Sequence, residues 1–218
     1  SYNDLLSNNS LIPNFVQVPF DHPLYVMYSS GTTGPPKSIV HGAGGTLIQH
    51  LKEHQLQCDI QAGKDRLFWF TTCGWMMWNW LVSALASGAT IVLYDGSPSY
   101  PTLGHLWDVA DRTKVTHFGT SPKFLSACSN IGLIPKDISD LSNLKAVLST
   151  GSPLVSEQYD WVYDNINSDI QLSSISGGTD IIGCFLAGSP ILPVYRGEIQ
   201  CIQLGMDVQA WNDVGESI

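Results

Sequence analysis

From Leu67 to Tyr94 no residue carries a charge. A run of that length is long enough to span a bilayer, so it forces a choice between a membrane segment and a deeply buried fold. Its punctuation favours the second. "TTCG" and "ASGAT" cut it into pieces, and β-branched residues gather at its ends. The pieces read as strand "LFWFTT", loop "CG", helix "WMMWNWLVSALAS" and strand "ATIVLYD". A β-α-β unit explains the apolarity without lipid, because parallel strands are covered on both faces.

The same alternation continues along the chain. "LGHLWDVADRTK" reads as a helix, "VTHFGTS" as a strand, and "PKFLSACSNI" as a helix with Pro122 suited to its first turn. Strand "LKAVLST", helix "VSEQYDWVYDNI" and strand "IQLSSIS" follow. Upstream, "LYVMY" and "SIVHG" read as short strands, and "TLIQHLKEHQLQC" as a helix with Leu47, Ile48, Leu51 and Leu56 near one face. From Ile181 onward "IIGCFLAG", "GEIQCIQL" and "DVQAW" read as short strands. The fold class is therefore α/β: a largely parallel sheet flanked by helices, with short strands toward the C-terminus.

Charge narrows the partners. The net charge of −9 argues against nucleic acid or an anionic membrane surface as a partner. A small anion can still be held by local backbone N–H groups. The five cysteines (Cys58, Cys73, Cys128, Cys184, Cys201) form no C-x-x-C and are odd in number. With no basic-then-apolar leader at Ser1, they read as reduced, mostly packed thiols of a cytoplasmic protein.

Three polar, glycine-bearing loops each follow an apolar strand: "SSGTTGPPK" after "LYVMY", "STGSP" after "LKAVL", and "SGGTD" after "LSSI". Glycine lets backbone N–H groups approach a phosphate closely, and hydroxyls add donors. Lys37 is the one formal positive charge in the set. Such loops at strand ends suit a phosphorylated ligand, although Gly- and Ser-rich turns are also common for purely structural reasons. Pro36 stands where a Walker A loop needs glycine, which excludes that motif. "HLKEH", His50 to His54, fits a zinc-peptidase pattern. With no downstream acidic ligand evident, it reads as a solvated polar helix face, and no zinc is expected.

The string "YSSGTTGPPK" resembles the phosphate-loop signature of the adenylate-forming enzymes: acyl-CoA synthetases, luciferases and peptide-synthetase adenylation domains. The similarity continues in order through "FWFTTCGWMMWNW", "GATIVLYDGSPSYPT", "LSTGSPL" and "SISGGTDI". Within the family it is strongest to the acetoacetate-activating branch. The resemblance implies a ligase of lipid and fatty-acid metabolism. It would use ATP with Mg2+ and acetoacetate to make an acyl-adenylate and pyrophosphate, then pass the acyl group to coenzyme A. An adenylating ligase for another short or medium acid, or a non-catalytic nucleotide-binding module of the same fold, are the alternatives.

Carried over position by position, the resemblance puts Ser29, Ser30, Gly31, Thr32, Thr33, Gly34 and Lys37 around the β- and γ-phosphates. It puts Thr179 on the α-phosphate and Asp180 near Mg2+, where most members carry Glu. Lys37, Thr179 and Asp180 are thus the candidate catalytic set. Gly151, Ser152, Pro153 and Gly178 belong to the nucleotide side, and Trp75, Met77, Thr150 and Gly177 to the acid pocket. Acetyl-CoA synthetases carry Trp-Trp-Gln-Thr-Glu where this chain has Ser176 to Asp180, and glycine in place of the second Trp leaves space for a longer acid. Thr150 is a candidate donor to a 3-keto oxygen.

The family's later ribose-binding Asp, its hinge and its small C-terminal domain with a catalytic Lys do not match any part of this chain. The domain reading is therefore a linker or edge segment at 1–19 and an incomplete AMP-binding domain at 20–218, inactive alone. The residues do not fix an oligomeric state.

Overall fold

The structure is a computed structural model that describes residues 14–29 and 34–218. Ser30, Gly31, Thr32 and Thr33 of the candidate phosphate loop lie outside the described residues, as does most of the 1–19 segment.

Among the described residues, ten strands and six α-helices follow in chain order. β1 (Pro23–Ser29) and β2 (Lys37–Gly42) form a hairpin. α1 (Ala43–Lys52) runs on through a π-helical turn, Glu53–Gln57. Then come β3 (Arg66–Trp69), α2 (Met76–Ser83) with a 3-10 turn Ala84–Ser87, β4 (Thr90–Val92) and α3 (His105–Thr113). They are followed by β5 (His117–Thr120), α4 (Pro122–Asn130), α5 (Pro135–Ile138), β6 (Ala146–Ser149) and α6 (Ser156–Asn165). Last are β7 (Gln171–Ser174), β8 (Ser176–Gly178), β9 (Gly183–Ala187) and β10 (Cys201–Ile202).

Five strands make the parallel sheet, in the order β4-β3-β5-β6-β7. β5 and β6 are buried at every position, as a sheet covered on both faces requires. Strand pleating sorts the side chains. Phe68, Phe118, Val147 and Leu172 pack with Trp107, Leu125 and Val162 of α3, α4 and α6 on one face. Leu67, Trp69 and Leu148 pack with Met77, Trp80 and Leu81 of α2 on the other. Gly119 in β5 makes the second face possible: a Cβ there would lie 2.1 Å from Cε3 of Trp69. At the head of α4, the Ser121 side chain accepts from Phe124 N and Pro122 takes the first turn, which is the arrangement its sequence favours.

Several expectations need correction. "LYVMY" is not a buried strand of the main sheet. It belongs to an antiparallel ribbon in which Tyr25 and Met27 face the core while Leu24, Val26 and Tyr28 are exposed. Only two of the three glycine-bearing loops therefore follow parallel strands. The first three residues of "SGGTD" are themselves a short strand, β8, paired antiparallel with β9. Of the C-terminal strings, "GEIQCIQL" keeps two strand residues, and "DVQAW" contributes one isolated bridge, Trp211 to Ser217.

The largest correction concerns α1. Its leucine face is not the buried one: Leu47, Ile48 and Leu56 are 44%, 60% and 57% exposed. Thr46, His50, Glu53, His54 and Gln57 are buried in their place. "HLKEH" is thus not a solvated face. Among the described residues no helix is long and apolar enough to cross a membrane, and no group of three His, Cys, Asp or Glu side chains is placed to hold a metal ion.

Candidate active site

β6 and β7 end side by side, and the chain leaves both through polar loops. Ile175 N donates to Ser149 O at 2.8 Å, which keeps the two exits in register. Thr150 Oγ1 donates to Ile175 O at the same distance. Gly151 then turns with φ +99°, a left-handed conformation that glycine adopts without penalty. Opposite these exits, Trp75 caps the start of α2, and its indole passes 4.0 Å from where a Cβ of Gly151 would stand.

Between these walls lies a cavity of about 550 Å3. It is lined by Trp75, Met77, Thr150, Gly151, Ser152, Pro153, Gly177, Gly178 and Thr179, all of them named from the sequence. Pockets at the carboxyl ends of parallel strands are the general rule for such sheets. Tyr159, Cys184, Gly197 and Ile199 also line it and were not anticipated. Tyr159 hides in an unremarkable helix. Gly197 (φ +81°) carried a signal only as one of many glycines.

Ser29, Gly34 and Lys37 do not line the cavity. Ser29 and Lys37 are paired across the hairpin, and Lys37 is exposed at the start of β2. Gly34, at φ +94°, turns the chain between the strands in open space. The hairpin is nevertheless tied to the cavity, because His41 Nε2 donates to Thr179 O at 2.8 Å. Asp180 follows Thr179 at the rim, exposed, with Oδ2 3.8 Å from the Cβ position of Gly178.

Gly177 is fixed by the backbone it faces. A Cβ there would lie 2.2 Å from Gly183 O, so a side chain at this position needs β8 and β9 to move apart. The Thr150 hydroxyl proton is engaged with Ile175 O. As placed, the hydroxyl therefore offers the cavity a lone pair rather than the proton a keto oxygen needs.

Behind the cavity lies the buried side of α1. His50 is held well below the ordinary imidazole value, at about 4, chiefly by burial, so it is neutral near pH 7. Its Nε2 faces Ile182 O at 2.7 Å. A carbonyl only accepts, so Nε2 carries the proton, and Nδ1 faces the Ser83 hydroxyl at 2.7 Å, sharing its single proton with Trp80 O at 2.8 Å. The Glu53 carboxyl is pushed up by burial and drawn back by the donors around it. Those donors are Cys184 N at 2.9 Å and Trp80 Nε1 at 2.8 Å, and Gln49 Nε2 also donates to the carboxyl at 2.7 Å. His54 sits edge-on to Trp80, with ring centroids 4.2 Å apart.

Residues 5–201 match the AMP-binding enzyme family. The acetoacetyl-coenzyme A synthetase of Rhizobium meliloti is 55% identical over 94% of the chain, which spans 31% of that protein. The malonamoyl-CoA synthetase of Penicillium aethiopicum is 52% identical over 92% of the chain, which spans 30% of it. The solved acetoacetyl-CoA synthetase of Streptomyces lividans superposes with a TM-score of 0.92 at 48% identity, covering 99% of this chain and 34% of that one.

Proposed function

The chain belongs to the AMP-binding enzymes, and from that premise we propose that it is the nucleotide- and acid-binding part of a ligase that joins acetoacetate to coenzyme A. The observation that carries the reading is the cavity, which gathers Thr150 to Pro153 and Gly177 to Thr179 against Trp75 and Met77. Similarity to acetoacetyl-CoA synthetases supports the choice of acid. Because the chain spans about 31% of such a relative, the activity is proposed for a longer protein in which residues 20–218 are part of the AMP-binding domain. We place that protein in the cytosol, consistent with five free thiols.

Two displacements make up the reaction. A carboxylate oxygen of the acid attacks the α-phosphorus of ATP, and pyrophosphate leaves, giving the acyl-adenylate. The thiol sulfur of coenzyme A then attacks the acyl carbon, and AMP leaves as the thioester forms. No covalent protein intermediate is needed, so the protein's part is positioning and charge neutralisation. Thr179 would face the α-phosphate, with its carbonyl held by His41. Lys37 and the loop before it would neutralise the departing pyrophosphate. Mg2+ would arrive with ATP as part of the substrate. A single exposed carboxylate such as Asp180 suits an ion held mainly by phosphate oxygens and water.

A specific observation favours a second acid. Malonamate, the acid implied by the Penicillium relative's name, has the shape of acetoacetate with an amino group for the methyl. Both are short acids with a carbonyl at the third carbon. The reading is tested by product analysis. Acetoacetate, ATP and coenzyme A should yield thioester, AMP and pyrophosphate in equal amounts, and release of ADP would contradict it.

A further inference from the structure

Two of the three buried polar residues of "HLKEH", His50 and Glu53, bridge the same pair of elements. His50 meets the Ser83 hydroxyl of α2 through Nδ1, sharing that hydroxyl's proton with Trp80 O, and donates from Nε2 to Ile182 O. Glu53 accepts from Trp80 of α2 through Oε2 and from Cys184 N through Oε1. Trp75, which caps the start of α2, and Met76 and Met77 in its first turn form one wall of the cavity. Ile182 and Cys184 flank the start of β9, whose partner β8 carries Gly177 and Gly178 on the opposite wall. Gly183 sits between them with no side chain, and a Cβ there would meet Gln49 Nε2 at 2.4 Å and Glu53 Oε1 at 2.7 Å. α1 is therefore pressed against the β8–β9 connection with no spare room.

We infer that His50 and Glu53 are positioning residues that fix the width of the acid pocket by tying α2 to the Ile182–Cys184 backbone. This rests on the adenylation reading for its substrate and on the hydrogen bonds alone for the tie. Side chains in an apolar contact slide with little cost. A carboxylate with a donor from each wall, 2.8 Å and 2.9 Å away, does not, because lengthening either bond leaves a buried charge under-solvated. Neither residue touches the cavity. Their effect on chemistry passes through Trp75 to Met77 on one side and Gly177 on the other.

The consequence is selectivity rather than speed alone. A structural defect lowers the active fraction and scales the rates of all acids equally. A change in wall spacing alters the ratio of kcat/KM between acids of different length, which no active fraction can do. Pockets discriminate one methylene by about 10- to 200-fold, so a relaxed spacing has a wide range to act over.

The test compares Glu53→Gln, Glu53→Ala and Ser83→Ala with wild type in the longer protein. It measures acid-dependent ATP–pyrophosphate exchange with acetoacetate, acetate, butyrate and hexanoate. Glu53→Ala is expected to shift the acetoacetate-to-hexanoate ratio of kcat/KM toward the longer acid by about tenfold. Glu53→Gln, which keeps one accepting oxygen, should shift it less, and Ser83→Ala least. Amide hydrogen exchange at Cys184 should speed up by a similar factor in Glu53→Ala. Ser83→Ala lies at the edge of the network and keeps the question open to measurement if the Glu53 variants do not fold. An unchanged ratio in active variants overturns the inference. An unchanged Cys184 amide overturns the tie itself, whatever the enzyme's substrate. Absence of exchange with every acid in wild type counts against the adenylation reading instead.

Discussion

The imidazole of His41 is bonded through Nε2 to the carbonyl oxygen of Thr179, 2.8 Å away. One residue belongs to β2, the hairpin strand that starts with Lys37, the other to the loop that leaves β8. The strand that follows the proposed phosphate loop is therefore joined directly to the loop proposed to hold the α-phosphate. Replacing His41 by Ala removes the bond and leaves the loops to move apart. The expected result is an apparent KM for ATP raised by about 3- to 10-fold, with the KM for the acid changed less. Titration of each substrate in the exchange assay separates the two.

Lys37→Ala should act more strongly. A lysine that neutralises a departing pyrophosphate contributes to the transition state, and loss of such a group costs about 100- to 1000-fold in rate. Because Lys37 is exposed, thermal stability should stay at the wild-type value. A melting curve run beside the rate measurement checks both halves.

Gly119→Ala tests the core rather than the site. The added Cβ would lie 2.1 Å from the Trp69 ring, and the ring is locked between the sheet and Trp80. Overpacking of this kind costs about 1–3 kcal/mol, read as a lower denaturant midpoint with an unchanged slope. Gly177→Ala, with its Cβ 2.2 Å from Gly183 O, should lose the β8–β9 pairing and with it one wall of the cavity.

Acid should unfold this protein in a defined window. His50 and His54 are held at about 4 and about 3, mainly by burial, against 6.5 for an exposed imidazole. Above that ordinary value both states are neutral there, and stability is complete. As pH falls below it, the unfolded chain takes up protons that the folded chain refuses, so stability drops until the folded values are reached. His50 alone accounts for a loss on the order of 3 kcal/mol. His117, also lowered by burial, adds to the loss. Glu53, raised by burial, works the other way and offsets part of it. Equilibrium unfolding from pH 7 to pH 4 should show this slope, and His50→Gln should flatten it.

Much of the fold was legible because strands β3 to β7 are short apolar runs separated by helices with clear starts, Pro122 among them. The cavity was legible through glycine and hydroxyl residues at strand ends, where Thr150 to Pro153 and Gly177 to Thr179 do converge. α1 was not legible, for a physical reason. Leu47, Leu51 and Leu56 have helical spacing, but so do Thr46, His50, Glu53 and Gln57. Hydrophobicity alone favours the first set, and the structure buries the second. Partners decided it: the Ser83 hydroxyl, the Trp80 indole and two backbone groups of Ile182 and Cys184 meet the polar stripe. None of those is near in sequence. The hairpin was misread for a related reason, since alternation along "LYVMY" marks a strand but not the sheet it joins.

The cavity between Trp75 and the β6 and β7 exits is proposed to hold an acid beside the α-phosphate of ATP. Acid-dependent ATP–pyrophosphate exchange in the longer protein tests it most directly, with acetoacetate run beside acetate, butyrate and an amino-acid mixture. Exchange should be strongest with acetoacetate and lost in Lys37→Ala. Folded protein that binds ATP yet exchanges with no acid would contradict it.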